Sequence, residues 1–174
     1  MLEKIALVKI AFLLPFACLV SYNDVRFRRI PNIFVLIILI GGLVINTAFG
    51  GLNGALSSLG GCIVAFSVLF ILYVYGGMGA GDVKLFAACG AVIGFQNILH
   101  SFVVIATLGG IIAIVSMIRA GIVRSAMRNV VMILVGFLPG WKIPHIEVPP
   151  DRSHTVPYGV AITLGSLISL YLFR

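Results

Sequence analysis

Charge is what this sequence has least of. Asp, Glu, Lys and Arg make up 10% of its 174 residues, against 61% for apolar types. A soluble domain carries about 25% charged residues. A folded chain of this length cannot cover a water-facing surface with so few, and a mean hydropathy of +1.20 says the same. The shortage excludes an ordinary soluble domain, a disordered chain, a coiled coil and a cytosolic nucleic-acid binder. An integral membrane protein remains. Cysteine is also scarce: Cys18, Cys62 and Cys89 lie far apart in apolar runs, with no CxxC. His100, His145 and His154 show no metal-ligand spacing. Neither a disulfide framework nor a zinc site is expected, and no metal or cofactor is assigned.

Negative charge is the scarcest of all, with five acids against twelve bases and a net charge of +7. On a membrane chain this excess reads as cationic loops that hold an orientation. No basic cluster is interleaved with stacking aromatics, so no nucleic-acid partner is expected.

What the sequence does have is long uncharged runs. Residues 30–81 hold no charged side chain over 52 positions, and 85–118 hold none over 34. A helix needs about 20 residues to cross the hydrocarbon core, so the first run is two spans, turning at Gly50-Gly51-Leu52-Asn53. Gln96-Asn97 divides the second. The expected fold class is all-α, a polytopic membrane protein with six transmembrane helices: roughly 5–22, 32–49, 54–75, 83–96, 98–118 and 156–173. Lys9 within the first is read as snorkelling to the near interface. The N-terminus does not read as a cleaved signal peptide.

Residues 119–155 form a cytoplasmic or interfacial segment. Within it Val130–Pro139 is too short to cross, and the proline-rich stretch Trp141–Val156 reads as an ordered loop, with Trp141 as an interfacial anchor. Nine of the twelve bases fall on one side of this map: Arg26, Arg28, Arg29, Lys84, Arg119, Arg124, Arg128, Lys142 and Arg152. That side is expected to be cytoplasmic, with both termini outside. The whole of 1–174 reads as one integral membrane domain.

The five acids can be questioned one by one. Glu3 is terminal, and Glu147 and Asp151 lie in the polar loop. Asp24 and Asp82 differ, because each sits where a span meets a loop, on the same expected side. Ionisable groups at the membrane mark functional sites by default. Two carboxylates at one site share a proton. One can then activate a water while the other donates to a peptide carbonyl, which hydrolyses the bond without a metal. Structural roles stand beside this reading. Asp24 could pair with Arg26 or Arg28, and Asp82 could cap its helix.

The surroundings of Asp82 read Gly79-Ala80-Gly81-Asp82-Val83-Lys84-Leu85, a GxGD tetrad. Composition alone predicts about 0.04 such tetrads in this chain. Glycines there let a backbone come close to the carboxylate.

At these residues the chain resembles the type IV prepilin peptidases, the GxGD membrane aspartic proteases. Gly76–Leu85 is similar to the second catalytic motif of that family. Asp24 followed by Arg29-Ile30-Pro31-Asn32 is similar to the first, and Pro157-Tyr158-Gly159 to its P-[YF]-G element. The resemblance covers about 20–173 and implies a GxGD-protease-like bundle. It also implies Asp24 and Asp82 as the catalytic pair, with Gly79 and Gly81 shaping the second motif. Lys84, Arg29, Asn32, Tyr158 and Gly159 would be motif or positioning residues.

The implied reaction is removal of the basic leader from a prepilin or pilin-like precursor at the cytoplasmic face of the cell membrane. The implied partners are that precursor and the lipid bilayer. Glu147 and Asp151 are candidate contacts for the leader, with a solvated role as the alternative. Longer bacterial members carry an added N-terminal region with paired cysteines, associated with methylation. This chain has neither, so it resembles the short form of tight-adherence (Flp) pilus systems or the archaeal preflagellin peptidases, with Arg29-Ile30-Pro31-Asn32 and Pro157-Tyr158-Gly159 favouring the bacterial form, and methyltransferase activity is not expected. The alternative from another class is a small proton- or cation-coupled transporter or channel subunit, with Asp24 and Asp82 as ion sites.

Overall fold

The computed structural model of the chain describes residues 2–74, 78–120 and 158–173. All regular structure among them is helical: α1 (Leu2–Phe27), α2 (Asn32–Val74), α3 (Ala80–Ile93), α4 (Ile98–Ala120) and α5 (Tyr158–Leu172). Two compact units are formed, one of residues 1–109 with 157–174 and one of 110–156. The second is described only over 110–120, where α4 continues to Arg119 in its last turn. The segment around Val130–Pro139, with Trp141, Glu147 and Asp151, lies outside the described residues.

Among the described residues, three helical stretches are long and apolar enough to cross a membrane: Glu3–Phe27, Asn32–Val74 and Ile98–Arg119. Their outward positions are apolar, as in Leu14 (50% exposed) and Val103 (63%). This is an integral membrane protein, with its surface suited to lipid.

The 43 residues of α2 are two arms joined at Gly51, whose φ of 57° and ψ of −139° break the helix. A side chain would be strained in that conformation. The chain reverses there closely enough that a β-carbon on Gly54 would collide with the Asn46 carbonyl. The reversal thus falls within the expected glycine turn. The arms correspond to the expected segments 32–49 and 54–75. α1 departs from expectation by running five residues past 22, so Asp24 lies within its last turn.

Between the arms of α2 runs α3, the centre of the bundle. It has 14 residues, about 21 Å of helix against a hydrocarbon core of about 30 Å. Val83 and every residue from Leu85 to Ile93 are buried. Small residues let the backbones meet. A β-carbon on Gly42 would lie 2.7 Å from the Val92 nitrogen, and one on Gly90 would lie 2.5 Å from the Gly61 carbonyl oxygen. The larger side chains Phe86, Leu13, Ile38 and Ile162 fill the space around it.

α5 closes the bundle with buried hydroxyls. Thr163 meets Ser21 of α1 at 3.1 Å, and Ser169 hydrogen-bonds Ser101 of α4. The Ser166 hydroxyl bonds the Ile162 carbonyl at 2.7 Å. Ile98, Ser101, Ile105 and Gly109 form the matching buried stripe of α4. Among the described residues, every buried side-chain nitrogen or oxygen has a hydrogen-bond partner.

Gly61→Ala should therefore cost about 1–3 kcal/mol, the usual range for overpacking. Its β-carbon would collide with the Gly90 carbonyl, which cannot rotate away. Gly50→Ala should be close to neutral, since nothing lies within 4 Å of that position. Thermal denaturation of the two variants in detergent checks the contrast.

Candidate active site

The buried face of α1 is a single stripe: Ala6, Lys9, Leu13, Ala17, Val20 and Asp24. The spacing of three and four is that of one side of a helix. Asp24 is its last member, so the helix carries its carboxyl inward and leaves it 7% exposed. The first turn of α5 receives it. The Gly159 N–H donates to Asp24 Oδ2 at 2.8 Å, and the Val160 N–H donates as well. The first amides of a helix have no partner within it and form the positive end of its dipole. Asp24 thus caps α5 from a different helix. Only glycine fits at 159, where a β-carbon would lie 2.8 Å from Asp24 Oδ2 and 3.0 Å from its Cγ.

Arg28 closes α1 in a left-handed conformation, φ 52°. Its N–H donates to the Asp24 carbonyl at 3.0 Å. Its side-chain charge lies within electrostatic range of the Asp24 carboxyl. The nearby Arg28 charge and the seat of Asp24 on α5 therefore coexist.

Asp82 is the third residue of α3, ahead of the fully buried stretch. Gly79 precedes the helix in extended backbone, φ −79° and ψ 148°. The Gly79 carbonyl accepts from the N–H of Asp82 at 3.1 Å and of Val83 at 3.4 Å. The Asp82 carboxyl folds back over Gly79 and accepts a hydrogen bond from its amide. A β-carbon on Gly79 would come within 3.1 Å of Asp82 Oδ2. At Gly81 the neighbour is Ile30, and a methyl group would make ordinary contact at 3.7 Å. The Arg-Ile-Pro-Asn turn thus packs beside the GxGD tetrad through Ile30.

Asp82 is half-buried. The charge of Asp24 lies within electrostatic range of the Asp82 carboxyl, and like charges near one another oppose joint ionisation. Tyr158 is half-buried and lies within electrostatic reach of Asp82.

Of the residues singled out from sequence, the structure brings together Asp24, Asp82, Gly79, Gly81, Tyr158 and Gly159. Arg29, Asn32 and Lys84 are exposed around them. Sequence reasoning marked Gly159 as part of a motif and missed its use, a backbone donor that seats Asp24. Its position at the start of a helix was the available signal. Among the described residues, no three His, Cys, Asp or Glu side chains are grouped so as to hold a metal ion.

The two carboxyls thus occupy unequal environments, Asp24 on the first amides of α5 and Asp82 in the first turn of α3. The family model of the type IV leader peptidases matches residues 11–114, a stretch that contains both carboxyls. The chain belongs to the type IV leader peptidase family. It is 37% identical over 104 residues to a prepilin leader peptidase/N-methyltransferase of Escherichia coli (strain K12), covering 55% of this chain and 45% of that protein. It is 32% identical over 104 residues to a prepilin leader peptidase/N-methyltransferase of Bacillus subtilis (strain 168), covering 56% of this chain and 41% of that protein. The chain thus matches less than half the length of either curated relative. No solved structure matches it.

Proposed function

We propose that this protein is a membrane-embedded aspartic endopeptidase that removes the leader peptide from type IV prepilins or pilin-like precursors. The observation that carries the reading is the asymmetric pair: Asp24 held by the first amides of α5, with Asp82 on α3 within electrostatic range of it. Family membership supplies the class of reaction, and the names of the two relatives supply the class of substrate.

In the proposed mechanism a water lies between the carboxyls and the scissile bond. Asp82, protonated, donates to the carbonyl oxygen and polarises it. Asp24, ionised, takes a proton from the water as its oxygen bonds to the carbonyl carbon. The tetrahedral intermediate collapses as the C–N bond breaks. The leaving amine takes the proton from Asp24, and Asp82 recovers its own from the intermediate. Both groups return to their starting states. Glycine at 79 and 81 leaves an extended substrate strand room beside Asp82.

The membrane arrangement belongs to the same proposal. α1, the two arms of α2, α3, α4 and α5 are the six crossings, with both termini outside and the carboxyls facing the cytoplasm. A prepilin with its apolar helix in the same bilayer would present its cleavage site at that depth. The peptidase is proposed to act without N-methyltransferase activity, although both relatives are named for both activities.

Asp24→Asn and Asp82→Asn should each lower cleavage of a co-expressed pilin precursor by at least about 100-fold, while the protein still inserts. The removed acid or base alone accounts for about 10²–10⁴. Cleavage by either variant at the parental rate would end the assignment. EDTA should leave cleavage intact, and loss restored by zinc would indicate a metalloprotease instead.

A further inference from the structure

The first turn of α3 carries Asp82, but the residues that hold α3 in place are at its other end. A helix leaves its last four carbonyls without partners, and in lipid no water takes them up. Here all four are met. The Gly90 carbonyl accepts from the Gly94 N–H at 2.9 Å. Ala91 O accepts from Asn46 Nδ2 at 2.7 Å and from Ser58 Oγ at 2.8 Å. Val92 O accepts from Asn46 Nδ2 at 3.2 Å. Ile93 O accepts from Lys9 Nζ at 3.3 Å. Asn46 comes from the first arm of α2, Ser58 from the second, and Lys9 from α1. Three helical segments thus contribute side chains to the end of a fourth.

Lys9 is unusual within this collar. It is 9% exposed, on the buried stripe of α1, where a snorkelling lysine would point outward. The expectation that it snorkels is thereby corrected, because its ammonium turns inward to the negative end of the α3 dipole. The stripe that begins near Lys9 ends at Asp24. α1 therefore reaches α3 at two levels, by the Lys9–Ile93 hydrogen bond and by the charge of Asp24 within electrostatic range of Asp82, about 22 Å apart along α1 and about 16 Å along α3.

We propose that Lys9 is a positioning residue for the carboxyl pair: through the Ile93 carbonyl it sets how far α3 lies along α1, and so how Asp82 meets Asp24. Asn46 and Ser58 complete the collar against sideways movement. The activity arm of the test rests on the peptidase reading above, and the distance arm does not.

Lys9→Met separates positioning from packing. Methionine fills similar space but leaves the Ile93 carbonyl without its donor, so the variant should melt at a lower temperature. A purely structural lysine would lower the melting temperature alone and leave turnover of the folded enzyme unchanged. The expected result, measured well below both melting temperatures, is slower turnover of a pilin precursor, with kcat lowered at least tenfold and KM within twofold. Lys9→Arg, which keeps a donor, should recover part of the loss. A Lys9→Met enzyme that turns over within twofold of the parental rate overturns the proposal.

The second arm measures geometry. Spin labels at positions 27 and 84, in a chain whose three cysteines are replaced by alanine, report the distance between the end of α1 and the start of α3. Lys9→Met should shift or broaden that distance, and Lys9→Arg should restore it. An unaltered distance also overturns the proposal. A shifted distance in a chain whose parent cleaves no precursor would sustain the tie and refute the peptidase reading.

Discussion

Lipid offers no hydrogen bonds, and most of this structure follows from that constraint. Long helices satisfy their own backbones. α3 is short and its last turn is buried among the other helices, so its last carbonyls must find partners inside the bundle. Lys9, Asn46 and Ser58 supply them, while glycine at 42, 61 and 90 lets the backbones come close enough. The same rule operates at α5, where Asp24 meets the orphan amides of the first turn. Each polar residue buried in the bundle answers a need created by a helix end or by another polar side chain.

The proposed chemistry reuses that arrangement. A carboxylate that satisfies a helix N-terminus is already oriented, with little freedom left to lose on binding substrate. Its charge in turn makes ionisation of the second carboxyl costly. Division of labour between Asp24 and Asp82 thus arises from position, with two identical side chains on unequal backbones. A metal is not required to create the difference.

Much of the fold was legible in the sequence, for simple reasons. Uncharged runs of 52 and 34 residues have one stable solution in lipid, and the glycines at 50 and 51 mark the reversal. Asp24 and Asp82 stood out because acids are so scarce. The destination of the polar groups was not legible. Lys9 reads as a snorkelling cation until the end of α3 is placed beside it, since no local pattern links residue 9 to residue 93. Gly159 reads as a motif glycine until Asp24 arrives from 135 residues away. Asn46 and Ser58 look like mild blemishes in apolar spans, and only the tertiary structure gives them carbonyls to serve. Local periodicity fixes which face is buried, and long-range pairing decides what that face is for.

The stripe on α1 places a condition on sequence length as well as on sequence content. Each residue turns a helix by about 100°. A single insertion or deletion between Lys9 and Asp24 would rotate the carboxyl from the α5 amides toward lipid, even with every other residue kept. Insertion of seven residues would restore the face but lengthen the interval by about 10 Å, so the Lys9 and Asp24 contacts could not both be kept. The spacing from Lys9 to Asp24 should therefore resist insertion and deletion more strongly than many of the apolar side chains within it resist exchange.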